Sequence, residues 1–316
     1  MKTALVIGAG GQDGTLLARW LQQRGDEVVC VDQGRTWSTT AGVWEATDIL
    51  QPSQVLSLIA KTKPAECYYL AAFHHSAEDA GLQSGDAVLF EKSYAIQVRG
   101  LIHVLEAIAQ ASPATRLFYA ASSHVFGSPP TQVQNETTPM NPEGIYGITK
   151  AAGIHCCRYF RRERGVFASA GILYNHESHL RPPGFLSQKI VRGVLAFQQD
   201  KSRRLTLGDL GATVDWGYAP DYIDAMTRIL RLDTPDDLIV ATGIPHTVAE
   251  FLQIACEIAK VDWQECVITQ PGLLKKKPAI LIGDSSKLLR LTGWQPTLSF
   301  REMIEKLLEY ARSGKS

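Results

Sequence analysis

From Thr3 to about Tyr174 the chain alternates short β-branched runs with longer segments of helical period, and that alternation dictates a parallel sheet covered by helices on both faces. Strands are expected near 3–7, 27–32, 43–47, 66–71, 115–122 and 166–173, and helices near 14–24, 51–62, 87–111 and 146–164. In the third of these helices Leu101, Val104, Leu105 and Ile108 form an apolar stripe. Beyond Tyr174 the pattern loosens. Pro182-Pro183-Gly184 marks a loop before a helix around 185–199, followed by a strand near 205–207, a helix near 220–231, a strand near 237–241, a helix near 248–260 and a last amphipathic helix near 300–312. Leu238-Ile239-Val240 is apolar enough to rejoin the main sheet. The expectation is an α/β chain with a doubly wound parallel sheet over 1–174 and a smaller, interleaved lobe over 175–316, of which 205–245 partly returns to the sheet.

The overall balance narrows the partners. Thirty-two basic and 32 acidic residues cancel in a chain of 316, so no global field draws it to nucleic acid or an anionic membrane, and a small molecule is the expected partner. Cys30, Cys67, Cys156, Cys157, Cys256 and Cys266 form no C-x-x-C pair or regular spacing, so no metal is expected and the thiols read as reduced. With no signal-like N-terminus and no apolar run long enough to span a bilayer, a cytoplasmic location is expected.

The first strand runs straight into Gly8-Ala9-Gly10-Gly11-Gln12-Asp13-Gly14 and a helix. Glycines at 8, 11 and 14 let backbone approach a pyrophosphate, which then rests on the unpaired N–H groups and positive dipole end of the helix. The second strand ends at Asp32, placed to accept from both adenosine-ribose hydroxyls and to repel a 2′-phosphate, which favours NAD. Arg35 nearby keeps NADP open, since a guanidinium recruits that phosphate. Asp48 has two readings, a contact to the adenine amino group or a helix cap before Pro52.

Tyr146 and Lys150 are four residues apart, so on a helix they share a face. A free phenol titrates near 10 and is a poor base at neutral pH, but an adjacent ammonium and a nicotinamide cation stabilise the phenolate. Ser122-Ser123 stands at the end of an expected strand. With Gly8-x-x-Gly11-x-x-Gly14 and Leu70-Ala71-Ala72, these residues resemble the extended short-chain dehydrogenase/reductases, whose sheet is Rossmann-type. Gly11-Gln12-Asp13-Gly14, Asn175-His176-Glu177-Ser178 with Lys189-Ile190, Asp215-Trp216-Gly217-Tyr218-Ala219-Pro220-Asp221-Tyr222, Ala241-Thr242-Gly243 with Glu250-Phe251, Gly283-Asp284 and Gly293-Trp294-Gln295-Pro296 are similar to GDP-mannose 4,6-dehydratases over nearly the whole chain.

That resemblance implies a nucleotide-diphosphate sugar as substrate, GDP-linked in the nearest case, and a role for each matching residue. Leu70, Ala71 and Ala72 would border the cofactor together with Gly8, Gly11, Gln12, Asp13 and Gly14. Tyr146 would take the proton of the sugar 4-hydroxyl, Lys150 would hold the nicotinamide ribose, Ser122 would hydrogen-bond O4, and Asn175 and Lys189 would lie near the sugar and diphosphate. It also implies a homodimer, with the helices near 87–111 and 146–164 forming a four-helix interface.

Three positions depart from the pattern. Where the dehydratases carry a glutamate, this chain has His124, either a base that moves the C5 proton or a polar wall residue. The arginine before Asp-Trp-Gly is Val214, which removes a bidentate phosphate partner; Lys275-Lys276-Lys277 is a candidate replacement, as a point charge or merely as a solvated run. Asp32-Gln33-Gly34 stands where an arginine-containing loop serves NADP and tetramer contacts. An enzyme lacking the glutamate could stop at the 4-keto stage and act as a 4-epimerase or a 4-keto reductase. His74 and His75 read as added acid/base groups or as solvated loop residues. A non-catalytic dinucleotide sensor is the alternative from another class, against which the intact Tyr146 and Lys150 count.

Overall fold

In the computed structural model, residues 2–33, 42–73, 85–270 and 280–313 are described. Arg35, His74, His75 and Lys275-Lys276-Lys277 lie outside them. In chain order the first half runs β1 (Thr3–Ile7), α1 (Gln12–Gln23), β2 (Glu27–Val31), β3 (Val43–Trp44), α2 (Pro52–Thr62), β4 (Glu66–Tyr69), α3 (Asp86–Tyr94), α4 (Gly100–Ala111), β5 (Arg116–Ser122), β6 (Val133–Gln134), α5 (Ile145–Arg164) and β7 (Phe167–Leu173). The second half runs β8 (Asn175–Glu177), α6 (Leu186–Gln199), β9 (Leu205–Leu207), β10 (Thr213–Tyr218), α7 (Ala219–Ile229), β11 (Asp237–Val240), β12 (Pro245–Thr247), α8 (Val248–Ala259), α9 (Trp263–Cys266), β13 (Val267–Thr269), β14 (Ile282–Gly283), α10 (Ser286–Thr292) and α11 (Phe300–Ser313).

Seven parallel strands form the main sheet in the order β11-β7-β5-β4-β1-β2-β3. The strands are apolar along most of their length because helices cover both faces. From β1 the chain steps outward through β2 to β3, then returns and steps the other way through β4, β5, β7 and β11. The order therefore reverses at β1, whose Ile7 pairs with Val31 on one side and Tyr69 on the other. Connections leave such a point in opposite directions and open a crevice at the carboxyl ends of the strands.

The long helix expected near 87–111 is continuous but not uniform: a π-helical turn, Ala95–Arg99, joins α3 to α4. The turn buries Gln97 completely and aims the Ile96 carbonyl at the Tyr69 hydroxyl. Gly100 follows because a side chain there would meet the Tyr69 hydroxyl oxygen at 2.6 Å. The third strand is shorter than expected and holds only Val43 and Trp44.

Of the stretch 205–245, α7 and β11 return to the sheet, whereas β9 pairs with β13 and β10 is the middle strand of a separate sheet, β12-β10-β8. A third apolar core lies between α6, α8 and α11 and holds Trp216, Phe251 and Leu307. Buried Asp215 of β10 ties this lobe to the sheet by accepting from the backbone N–H groups of Thr242 and Gly243, each at 3.0 Å, and of Gly283 at 3.1 Å. Burial holds its carboxyl above the usual range even so.

Candidate active site

The crevice at the strand-order reversal holds the glycine loop. Gly8 has φ +89°, and a Cβ on it would meet the Ala71 nitrogen at 2.6 Å; one on Gly14 would meet the Gly8 carbonyl oxygen at 2.2 Å. Only glycine lets loop, helix and β4 exit approach this closely. Gly11 is the N-cap of α1 and has no side chain to bond the helix, so the leading N–H groups, those of Gln12, Asp13 and Gly14, have no intrahelical acceptor. Asp32 braces the loop, accepting from the Gly10 N–H at 2.7 Å.

A cavity of about 210 Å³ lies over this loop, lined by Gly8, Gly11, Asp32, Leu70, Ala71 and Ala72 among others. Asp48 stands between Thr47 and Ile49, which line this cavity, and the N-cap position of α2 is Gln51 and not Asp48. The Asp48 carboxylate instead accepts from the Leu50 N–H at 2.9 Å, a short-range bond to the adjoining turn.

A second, larger cavity of about 720 Å³ continues from Gly11–Gly14 past Ser122, His124, Tyr146 and Lys150 to Asn175 and Val214. Tyr146 and Lys150 sit on consecutive turns at the start of α5, with the ammonium 5.6 Å from the phenol ring centroid. Gly147 permits this seat, since a Cβ on it would meet the His124 carbonyl oxygen at 2.5 Å. Lys150 is buried and donates to the Ala120 carbonyl at 2.6 Å. Burial pulls its ammonium down to about 7, against the upward pull of the Asp13 carboxylate. Burial likewise pushes the Tyr146 phenol up to about 12, while the Arg181 charge and a hydrogen bond with Ser122 act the other way.

Ser122 ends β5, and its hydroxyl accepts from the His124 N–H at 3.3 Å, capping the short helical turn Ser123–Phe126 that carries His124. The His124 ring opens into the cavity and meets the Tyr146 ring edge-on at 5.8 Å. Protein crowding around the ring holds its titration below the ordinary 6.5, so the free base prevails at neutral pH.

Strand β8 and the loop after it form the opposite wall. Asn175 lies on it, but Lys189 does not: that residue is a turn into α6, half-buried and absent from the lining. Arg181, which sequence reasoning passed over, is on the wall in its place. Its guanidinium covers the Phe185 ring at 4.2 Å and its Nε is 3.4 Å from Glu177. Among the described residues lining this cavity, Lys150 and Arg181 supply the lysine and arginine charge. The only signal for Arg181 was its place in a Pro-containing loop soon after Asn175-His176-Glu177-Ser178. Val214 and Trp216 close the far end with apolar surface. No cluster of metal-ligating side chains occurs among the described residues, and none of their helices is long and apolar enough to cross a membrane.

Known proteins match this chain from end to end. The family model for GDP-mannose 4,6 dehydratase matches residues 5–307. GDP-mannose 4,6 dehydratase 2 of Arabidopsis thaliana is 32% identical over 98% of this chain and 86% of its own length. The GDP-mannose 4,6-dehydratase of Vibrio cholerae serotype O1 is 28% identical over 99% of this chain and 95% of its own. Among solved structures, dTDP-glucose 4,6-dehydratase from Bacillus anthracis superposes with a TM-score of 0.85 at 15% identity, covering 100% of this chain and 98% of that one. The UDP-glucose 4-epimerase of Thermus thermophilus superposes with a TM-score of 0.83 at 21% identity, covering 99% of each chain. The parallel sheet with its glycine loop, the Tyr146–Lys150 pair and a match spanning residues 5–307 lead to one assignment: the chain belongs to the GDP-mannose 4,6-dehydratase family.

Proposed function

We propose that this chain is a nicotinamide-dependent dehydratase of a nucleotide-diphosphate sugar, GDP-mannose in the first instance, that oxidises C4 and removes water across C5 and C6. The reading rests on one observation: Tyr146, Lys150 and His124 line a single cavity that continues onto the glycine loop. The cradle suits a dinucleotide, because any side chain at Gly8 or Gly14 would fill it. Asp32 on the wall of the smaller cavity favours NAD. When bound, the nicotinamide supplies the hydride acceptor and, later, the donor.

Tyr146 would take the O4 proton as C4 becomes a carbonyl, with Ser122 hydrogen-bonding the same oxygen and Lys150 holding the nicotinamide ribose. The new carbonyl acidifies the C5 hydrogen. Neutral His124 would accept that proton and pass it to the C6 hydroxyl, which leaves as water. Asn175 would face the sugar, and Arg181 suits the diphosphate that Val214 cannot contact. Incubation with NAD and GDP-mannose should give a product lighter by one water, by mass spectrometry. Because His124 stands where a carboxylate was expected, a second reading stops at the 4-keto stage: unchanged mass with inverted C4 marks an epimerase, and two hydrogens added to a preformed 4-keto sugar nucleotide in a parallel incubation with NADH or NADPH mark a reductase. Recovery of unaltered sugar nucleotide from all such incubations overturns both readings.

We further propose a homodimer, in a reducing cytoplasm that suits six free thiols. Phe90 and Tyr94 of α3 and Ile148 and Tyr159 of α5 expose large apolar surface on two helices that pack together. Tyr159→Asp should convert a dimer to a 34.7 kDa monomer in sedimentation equilibrium. A monomeric parent, or a dimer untouched by Tyr159→Asp and by Phe90→Asp, removes this interface.

A further inference from the structure

His176 is the middle residue of β8 and is buried. Its Nδ1 lies 2.7 Å from the Tyr174 carbonyl oxygen, and its Nε2 lies 3.0 Å from both oxygens of the Asp13 carboxylate. A carbonyl and an ionised carboxylate can only accept, so each ring nitrogen must donate, and a histidine that donates from both is an imidazolium. Asp13 is ionised: burial pushes its carboxyl up, but the charge and hydrogen bond of His176, with help from Gln12 and Arg181, bring it down to about 2. The imidazole also stacks on buried Tyr222 at 4.5 Å, which fixes its plane. The other charged groups nearby are Arg181 on the same wall, Glu177 next in β8, and Asp215 and Asp221 around Tyr222. Two uncharged links run alongside, from the Gln12 amide to the His176 carbonyl at 3.2 Å and from the Ser178 hydroxyl to the Gln12 amide oxygen at 2.8 Å.

Asp13 poses an electrostatic problem. A carboxylate in the first turn stabilises a helix, yet it also repels an anion brought to that same N-terminus. A phosphate-binding end that keeps a carboxylate needs a fixed counter-charge.

We propose that His176, as an imidazolium, is a positioning residue for the dinucleotide: it cancels the Asp13 charge at the pyrophosphate-binding end of α1 and pins the Asn175–Phe185 wall to the glycine loop. The proposal rests on the reading that a dinucleotide occupies that loop. The clasp sets one positive charge against the Asp13 carboxylate, and without it that carboxylate faces the pyrophosphate uncancelled.

The test uses ADP, which carries the two phosphates but lacks the nicotinamide riboside that reaches Lys150, displacing fluorescent NADH at neutral pH. His176→Asn should weaken ADP about tenfold as one favourable charge is lost. Asp13→Asn, nearly isosteric, should bind at least as tightly as the parent, and combining it with His176→Asn should recover most of what His176→Asn lost. A His176→Asn variant that binds ADP as tightly as the parent, or a double variant no better than His176→Asn, overturns the proposal. Histidine ¹⁵N spectra of the ligand-free protein separate the two layers. A neutral His176 ring at neutral pH refutes the clasp whatever binds, whereas a charged ring in a protein that holds no NADH refutes the dinucleotide reading.

Discussion

Tyr146→Phe is expected to lower turnover by about 10² to 10⁴, the range for loss of a general acid–base group, while NADH still binds about as tightly as to the parent. The substitution keeps the ring that packs edge-on against His124 and removes only the hydroxyl, so folding is spared. The loss is large because the rest of the site cannot replace this proton acceptor. Ser122 is a weak base, and in the proposed reaction His124 serves the neighbouring carbon. In the protein alone burial holds the phenol at about 12, so ionisation at neutral pH requires the positive charge of Arg181, of Lys150 and of the oxidised nicotinamide together. The same balance predicts that Arg181→Met moves the rising limb of the rate to higher pH as well as weakening substrate. Rapid-quench measurement of C4 oxidation checks both, and a Tyr146→Phe enzyme at parental speed refutes the assignment.

His124→Ala should separate the two halves of the reaction. Oxidation at C4 continues and is seen as a burst of NADH absorbance, whereas exchange of the C5 hydrogen with heavy water and release of water fall by about 10² or more. The sign of the pH dependence follows from burial, which lowers the His124 pKa below 6.5. The free base that accepts the C5 proton is present above that value and is lost as pH falls through it, so elimination should decline on the acid side. C5 exchange that survives in His124→Ala, or that shows no acid limb in the parent, would make His124 a wall residue and favour epimerisation or reduction.

The parts of this site visible in the sequence are those built by local geometry. Thr3–Ile7, the glycines and α1 lie within one short stretch, where each residue constrains the next, and the Tyr146–Lys150 pair needs only helical spacing. What escaped depends on contacts between distant segments. Nothing near Arg181 reveals that its loop folds back over Phe185 to face the glycine loop. Lys189 looked equivalent as a cation, yet it is not among the residues that line the cavity. The sheet β12-β10-β8 was invisible because its outer strands are three residues long, too short for a period to register, and β10 carries a buried aspartate and a glycine. The capping reading of Asp48 failed for the same reason: its carboxylate accepts from a backbone N–H two residues away, in a turn whose conformation the sequence does not dictate.

The π-helical turn at Ala95–Arg99 bears on how one rod serves two masters. In an unbroken α-helix Phe90, Tyr94, Leu101 and Ile108 would fall along one line, yet Leu101 and Ile108 are sealed against the sheet while Phe90 and Tyr94 look outward. The wider turn inserts one additional residue, rotating everything before it by roughly 100° relative to everything after. A single length of helix thereby turns one greasy side inward to its own core and another outward, where the proposed second subunit would cover it, without a break in the chain.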